Sequence, residues 1–488
     1  MVFSSIVFLF LFLPVVLTGY FLIGKKGRNV YLLLSSLVFY AWGEGEYISA
    51  LLLCIGANYL FGILIYKFRM GVSRADENIS KLVLILAVGF NVLFLVYYKY
   101  TDFFVAKLNS SASSLGFGTL QVNSIHLPLG ISFFVFQALS YVIDVYRRQV
   151  VATYNPIHFA LYESLFPQLI AGPIVRYRDI AGQVVRRIIT TEDVALGSRR
   201  FIIGLGKKVL IANTLAATAD QIFAVPMGQL APGVAWLGIL CYTLQIYYDF
   251  SGYSDMAIGL GQMLGFKFPE NFNYPYAARS IQDFWRRWHI SLSTWFKDYV
   301  YIPLGGNRGG SWRTYSNLVI VFFLCGMWHG ASWTFIVWGL WHGFFIVLER
   351  SGWGKVLEKA GAPAGHLYTL LVIIFGWVFF RSPDLAHSLD FIIAMFDFSK
   401  EGFTLYRISA FTSPDLLLAL TAGIVFAFPV SKLFKHAGSV AISAAGVPVR
   451  YANFGFSVIS FVLIFSMLFT CCMSLAGGTY NPFIYFRF

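Results

Sequence analysis

The sequence is poor in charged residues. Asp, Glu, Lys and Arg make up 12% of the 488 residues and hydrophobic residues 58%, whereas soluble domains carry roughly 25% charged residues. Apolar runs close to the ~20 residues needed to cross a bilayer recur along the chain. This pattern excludes an ordinary water-soluble protein and predicts an all-α polytopic membrane protein.

Several signatures of enzyme classes are missing from the sequence. It contains no HExxH zinc motif, no GxSxG nucleophile elbow and no CxxC pair. The run GLGKK at 204–208 lacks the spacing and the Ser or Thr of a phosphate-binding loop. The five cysteines lie in apolar surroundings, as small core residues do. We therefore expect no metal site and no serine-hydrolase chemistry.

Acidic residues are fewer than basic ones, and the formal net charge is +13. The Lys and Arg residues lie in short loops between apolar runs, so the positive-inside rule accounts for the excess. No nucleic-acid-binding motif is present, and we expect no nucleic-acid partner. The most basic stretch, 176–208, is interpreted as a cytoplasmic surface that fits anionic membrane lipid or a phosphorylated substrate.

The spacing of apolar runs predicts about 11–12 transmembrane helices, with re-entrant and interfacial helices, in one membrane domain covering residues 1–488. The first run is followed by Lys25, Lys26 and Arg28, so we expect a first span with its N-terminus outside, not a cleaved signal peptide. Residues 158–174 contain two prolines and have basic flanks on both sides, which favours a re-entrant segment.

Some of the predicted spans carry polar residues. Gln137, Ser140 and Asp144 share one helical face, which is compatible with hydrogen bonds between helices or with the lining of a cavity. Asp249 and Asp255 fall at membrane depth, where an acidic side chain indicates a lined cavity.

The stretch 271–330 contains the candidate chemistry, because two histidines lie in it. Residues 281–301 contain no Gly or Pro and are predicted to form a helix, with Trp285 and His289 on one aromatic face. Arg286 and Arg287 then point towards the aqueous side.

His329 ends an apolar run, next to Gly330. A neutral imidazole in such a place can act as a general base. A single histidine at the end of a span is, however, more often an interfacial or hydrogen-bonded group. His342 is a further candidate, for which simple packing is the stronger interpretation.

At this point the sequence resembles the membrane-bound O-acyltransferase family. FWRRWHISLSTWFKDYVYIPLGGNRGG and FFLCGMWHGASWTFIVWGLWHG carry the resemblance. LPLGISFFVFQALSYVIDVYRR, FPQLIAGPIVRY and the C-terminal NPFIYFRF are similar to the bacterial alginate O-acetylation branch. The resemblance covers essentially the whole chain, with several long motifs in the same order.

The resemblance implies a helical membrane enzyme with a thinned centre and a central tunnel. It implies that His329 is the catalytic histidine and that His289 occupies a second position, where His, Asn or Asp occurs in different branches. The donor would be acetyl-CoA or an acyl carrier thioester, with no tightly bound cofactor. A separately encoded periplasmic acetyltransferase partner and a location in the bacterial inner membrane are also implied.

We predict acyl transfer with His329 and His289 as catalytic residues. The predicted substrate-binding residues are Trp285, Trp288, Trp328, Arg286 and Arg287. The main alternative is a secondary transporter or flippase, in which the polar residues of the spans line a substrate path. The sequence contains one broken segment and no matching second half, which disfavours a transporter. A catalytically silent scaffold would leave both histidines unexplained.

Overall fold

The computed structural model describes residues 2–71, 73–400, 405–430, 449–478 and 480–482. Every regular element in these residues is helical. Of the C-terminal motif NPFIYFRF, residues 483–488 lie outside the described residues.

The chain begins with a long series of helices. The first eleven are α1 Leu13–Leu22, α2 Arg28–Glu44, α3 Ile48–Arg69, α4 Arg74–Ser114, α5 Ile131–Tyr146, α6 Pro156–Ser164, α7 Phe166–Leu169, α8 Tyr177–Val185, α9 Thr191–Gly206, α10 Asn213–Phe223 and α11 Pro232–Met263. The others are α12 Ile281–Trp285, α13 Ile290–Phe296, α14 Gly310–His329, α15 Trp333–Leu348, α16 Gly354–Ala360, α17 Ala362–Arg381, α18 Leu385–Ala394, α19 Ile408–Phe411, α20 Pro414–Phe426 and α21 Val449–Ala476. The π-helical turns are Phe8–Phe12, Lys207–Ala212, Lys297–Tyr301 and Glu349–Trp353.

Five helical stretches among the described residues are long and apolar enough to cross a membrane. They are Arg28–Arg69, Arg74–Ser114, Thr191–Phe223, Ala362–Arg381 and Ser457–Ala476. Four shorter apolar helices accompany them, Phe8–Leu22, Ile131–Tyr146, Leu385–Ala394 and Pro414–Phe426. The predicted all-α polytopic membrane fold is confirmed, and the count of 11–12 spans stays a prediction.

The chain folds into two compact units, each built from discontinuous segments. Unit 1 contains residues 1–197, 257–269 and 328–332, and unit 2 contains residues 198–256, 270–327 and 333–488. His329 therefore belongs to unit 1 and His289 to unit 2. The expectation of a single membrane domain stays a prediction.

In unit 1, the segment predicted to be re-entrant contains two short helices, α6 and α7. The longer has nine residues, so it extends about 14 Å, less than half of the ~30 Å hydrocarbon core. Two hydrogen bonds tie these helices to the rest of unit 1, since Gln168 Nε2 donates to the Tyr162 carbonyl at 2.6 Å and the Phe166 amide donates to Ser36 Oγ at 3.1 Å. A turn of this kind is tolerated at membrane depth because protein covers its backbone.

In unit 2, the two acidic residues that the sequence places at membrane depth form ion pairs. Lys208 Nζ lies 2.8 Å from Asp249 Oδ1, and both side chains are 3% exposed or less. Lys207 and Arg200 contact the two carboxylate oxygens of Asp255 at 2.6 and 2.8 Å. The carboxylates thus have basic partners on the same unit, which removes the need for a lined cavity to solvate them.

Also in unit 2, α14 and α15 touch through glycines. A Cβ on Gly326 would lie 2.4 Å from the Phe335 carbonyl oxygen, and one on Gly339 would lie 2.3 Å from the Phe322 carbonyl oxygen. Real Cβ atoms essentially never come within 3.0 Å of such an atom. The two helices therefore approach to backbone contact three residues before α14 ends at His329.

Candidate functional site

His289 lies at a break in the chain. The predicted continuous helix over 281–301 is wrong, because α12 ends at Trp285 and α13 begins at Ile290. His289 precedes α13 with φ 42° and ψ 55°, a left-handed conformation that non-glycine residues rarely adopt. His289 and Trp285 are consequently not neighbours on one helical face.

Asn271 holds this break together. Its backbone carbonyl accepts from the Ile290 amide at 3.0 Å. Its side-chain Oδ1 accepts from Ser291 Oγ at 2.9 Å and from the Ser291 amide at 3.2 Å. Its Nδ2 donates to Ser254 Oγ at 3.1 Å, which fixes the orientation of the amide. The backbone carbonyl and the side chain of a residue from another segment thus accept from the amides that a continuous helix would have paired.

The imidazole of His289 has its tautomer set by the same amide. Nδ1 lies 3.2 Å from Asn271 Oδ1, which can only accept, so Nδ1 carries the proton and Nε2 the lone pair. The residue is 1% exposed and its ring meets the Phe250 ring edge-on at 4.6 Å between centroids. Burial lowers the pKa of His289 to about 3, so the ring is neutral near pH 7.

Trp288 belongs to an aromatic cluster in unit 2. Its ring centroid lies 5.1 Å from those of Phe272 and Trp377 and 5.6 Å from that of Phe284. The residue is 4% exposed. In this position it packs the segment that carries His289 against Phe272 and Trp377, and its predicted contact with substrate stays a prediction.

His342 lies in the same part of unit 2. Its ring centroid is 5.3 Å from that of Trp285 and 5.1 Å from that of Trp338. The side chain is fully buried, and neither ring nitrogen has a hydrogen-bond partner among the described residues. Its contacts are those of a packing residue.

A cavity of about 200 Å³ opens beside α12 and α13 in unit 2. Its apolar wall includes Trp285, Leu292, Phe296, Phe322 and Cys325. Three exposed basic side chains, Arg286, Lys297 and Arg350, are also part of the lining, and none of them forms an ion pair within the described part of the chain. The cavity therefore combines an apolar interior with unneutralised positive charge, which suits an anionic ligand that has an apolar arm.

The two adjacent arginines differ in their surroundings. Arg286 lines the cavity, whereas Arg287 Nε donates to Asp283 Oδ1 at 3.0 Å and its Nη1 to the Asn273 carbonyl at 3.4 Å. The charge of Arg287 is thus partly neutralised one helical turn away, and it is not among the lining residues. Of the predicted substrate-binding residues, Trp285 and Arg286 share one cavity.

His329 is the last residue of α14 and is 6% exposed. Its ring packs at 75° to that of Trp328, with 4.7 Å between the centroids. The Trp328 ring is in turn held by Phe133 and Phe136 of α5, at 5.7 and 5.5 Å. The backbone carbonyl of Trp328 accepts a hydrogen bond from Lys99 Nζ. Unit 1 therefore fixes both the side chain and the backbone of the residue before His329.

Some residues of these sites were not identified from the sequence. Asn271 and Lys99 act through contacts with segments 18 and 229 residues away, a distance at which sequence spacing is uninformative. In the sequence, Lys297 and Arg350 cannot be told apart from the other basic residues that the positive-inside rule explains. In the described part of the chain no group of three or more His, Cys, Asp or Glu side chains is arranged to hold a metal ion.

Comparison with known proteins gives one family and several relatives that match most or all of the chain. Residues 103–389 match the model of the membrane-bound O-acyltransferase family. The chain is 40% identical to the probable alginate O-acetylase of Pseudomonas putida over the whole of both chains. It is 45% identical to the corresponding protein of Pseudomonas aeruginosa, over 89% of this chain and 81% of the relative. It is 39% identical to the peptidoglycan O-acetyltransferase of Helicobacter pylori, over 81% and 80% of the two chains.

Proposed function

Because this chain belongs to the membrane-bound O-acyltransferase family, we propose that it moves an acetyl group from a thioester donor to a hydroxyl acceptor for the O-acetylation of an exported, alginate-like polysaccharide. The observation that carries the proposal is the similarity to probable alginate O-acetylases along the whole chain. The peptidoglycan O-acetyltransferase among the relatives supports the reaction class, acetylation of a polysaccharide hydroxyl.

In the proposed reaction, His329 removes the proton of the acceptor hydroxyl. The oxygen attacks the thioester carbonyl, the C–S bond breaks, and the departing thiolate takes up the proton from the His329 imidazolium. The reaction as written balances without an oxidant, a reductant or a metal. A neutral His289, hydrogen-bonded through Nδ1 to Asn271, keeps Nε2 as an acceptor that orients the donor or a reacting group. The dry aromatic surroundings protect the acyl group from hydrolysis.

The donor is proposed to bind at the cavity beside α12 and α13. Acetyl-CoA and an acyl carrier protein both present a phosphopantetheine arm. The arm is thin and largely uncharged, with the thioester at one end and a phosphate at the other. The apolar wall around Trp285 suits the arm, and Arg286, Lys297 and Arg350 suit the phosphate. These features are common to both donors, so the cavity supports the class of donor and leaves the choice between them open to experiment.

We further propose that the protein works in the bacterial inner membrane with a periplasmic acetyltransferase partner that completes the modification outside. The relatives named as a probable alginate O-acetylase and a peptidoglycan O-acetyltransferase support this arrangement, as does the series of apolar helices among the described residues. Membrane lipid surrounds the helices, and the acceptor is either the polymer or a hydroxyl of that partner.

The first test is release of CoA by purified protein from labelled acetyl-CoA, with an oligouronate acceptor. His329→Ala should lower the rate by about 10²–10⁴-fold, as expected for loss of a general base, while the protein purifies normally. A loss smaller than tenfold would show that His329 is not the base. Substrate uptake into vesicles without thioester cleavage would support the transporter alternative.

The second test separates the two histidines. His289→Ala should leave more activity than His329→Ala, and His289→Asn should be milder still, because an amide keeps one hydrogen bond. The measurement is the initial rate against donor concentration in one membrane preparation. Complete loss in His289→Asn with donor binding intact would mean that this histidine transfers a proton itself.

The third test concerns the cavity. Arg286→Gln combined with Lys297→Gln should raise the KM for the donor at least tenfold and change kcat little, because the charges act in binding. Arg287→Gln should have a smaller effect, since that charge is paired with Asp283. Arg308→Gln changes an exposed residue of unit 2 that is not among the lining residues, and it is the matched control. Equal KM values in all three variants would exclude this cavity as the donor site.

A further inference from the structure

Lys99 is an ionisable residue in the long apolar helix α4. Its side chain is half-buried, and its Nζ donates to the Trp328 carbonyl and, at 3.4 Å, to Ser132 Oγ. Nζ also lies 5.7 Å from the centroid of the Trp328 ring. Among the described residues no carboxylate lies within ion-pair distance of this lysine.

The usual explanation for a lysine near the end of a span is that it extends to the aqueous interface. Lys99 instead directs its ammonium group to the backbone at the end of α14. The last four carbonyls of a helix have no partner within the helix, and a cation near that terminus interacts favourably with the helix dipole. Lys99 thus supplies both the missing donor and the complementary charge to the final turn of α14.

That final turn carries the proposed base. Trp328 is held on its ring by Phe133 and Phe136 and on its carbonyl by Lys99. His329 follows it directly in the chain. These three contacts therefore restrict the backbone from which the imidazole of His329 extends.

We propose that Lys99 is a positioning residue for acyl transfer, which fixes the last turn of α14 and so holds the His329 imidazole towards the acceptor hydroxyl. This inference rests on the proposed function and adds to it a residue that acts through the backbone at the end of α14. Small misplacement of a reacting group lowers the rate of the chemical step more than it lowers binding. The effect should consequently appear in kcat.

The test compares Lys99→Met, which keeps the length of the side chain, with Lys99→Arg, which keeps the charge and the donors. Lys107→Met, a substitution of an exposed lysine on the same helix, is the control. We expect Lys99→Met to lower kcat at least tenfold with the KM for the donor within twofold of wild type. Lys99→Arg should recover at least a third of the lost rate, and Lys107→Met should match wild type.

Each other outcome overturns the proposal. Unchanged kcat in Lys99→Met would mean that the contact is incidental, and a raised KM with unchanged kcat would assign Lys99 to donor binding. If the kcat of Lys99→Arg is no higher than that of Lys99→Met, lysine is required at this position for its packing and not for its charge. Should Lys99→Met fail to purify as a monodisperse protein, the kinetics of Lys99→Arg decide. A raised KM for the donor with unchanged kcat in Lys99→Arg would then overturn the proposal. Ser132→Ala removes only the longer contact of Lys99, and its kcat should stay near wild type.

A second readout does not depend on activity. Carbethoxylation of His329 by diethyl pyrocarbonate, followed by peptide mass spectrometry, should change in rate at least threefold in Lys99→Met and not in Lys107→Met. Absence of CoA release by the wild-type protein would refute the proposed function alone. An unchanged modification rate in Lys99→Met would refute the role of Lys99 alone.

Discussion

Gly326 and Gly339 let α14 and α15 approach to backbone contact, so alanine at either position should force the helices apart. A Cβ at these positions would lie 2.4 and 2.3 Å from carbonyl oxygens, whereas ordinary contact begins at 3.4 Å. The missing distance is about 1 Å, and the obstructing atoms are backbone atoms that cannot rotate away. Overpacking of this kind costs about 1–3 kcal/mol.

Other glycines of the chain leave different amounts of space for a Cβ, so their alanine variants should differ in stability. A Cβ on Gly343 would meet the Phe322 side chain at 3.1 Å, and one on Gly89 in α4 would meet no atom within 4 Å. Gly89→Ala should be neutral or slightly stabilising, since alanine is favoured over glycine in a helix by roughly 0.5–1 kcal/mol. Gly343→Ala should be intermediate, and Gly326→Ala and Gly339→Ala the least stable.

The assay is thermal unfolding in detergent, followed by tryptophan fluorescence, together with CoA release. Because His329 lies three residues beyond Gly326 on the same helix, a shift of about 1 Å should also lower the rate of transfer, by up to roughly 10²-fold. Midpoints for Gly326→Ala and Gly339→Ala equal to that of Gly89→Ala would refute the close contact. A lowered midpoint with full activity would refute only the link to His329.

Three further predictions address other parts of the chain. Lys208→Met should lower the stability of unit 2 by about 3–5 kcal/mol, because Asp249 is left buried without its partner. Adding Asp249→Leu to this variant should restore most of the thermal midpoint. If the two substitutions instead lower the midpoint additively, the pairing is contradicted. Single cysteines introduced next to Arg148 and Arg176 should both be labelled from the cytoplasmic side, and labelling from opposite sides would mean a true span. His342→Leu should change the rate of CoA release less than twofold, since no hydrogen bond of the imidazole is lost among the described residues; a tenfold loss would assign it a chemical role.

The class of fold could be predicted from the sequence because it depends on composition and on the length of apolar runs. The short helices α6 and α7 agree with the interruption that the prolines of the segment before Arg176 indicate, and the prediction that the segment does not cross the membrane stays a prediction. The two histidines were singled out by their polar and aromatic context and by the family resemblance. Their joint role in one reaction stays a prediction.

The geometry around His289 was not predictable. Residues 281–301 contain neither Gly nor Pro, so local propensity favours an uninterrupted helix. The break depends on hydrogen bonds that Asn271 accepts through its backbone carbonyl and its side-chain oxygen. Contacts of this kind override propensity, and their partners can be found only in three dimensions. The cavity beside α12 and α13 is a similar case, because its lining comes from three separate parts of the chain.

The left-handed backbone at residue 289 limits which amino acids can occupy that position. His, Asn and Asp are the side chains that most readily accept positive φ, and they are the three that the family resemblance allows here. The choice of residue can thus follow from the backbone before any chemistry is considered. Alanine at this position combines loss of the imidazole with backbone strain of about 1–3 kcal/mol, whereas glycine removes the side chain and accepts the same φ. The difference in rate between His289→Ala and His289→Gly therefore measures the backbone contribution, and only the remainder belongs to the imidazole.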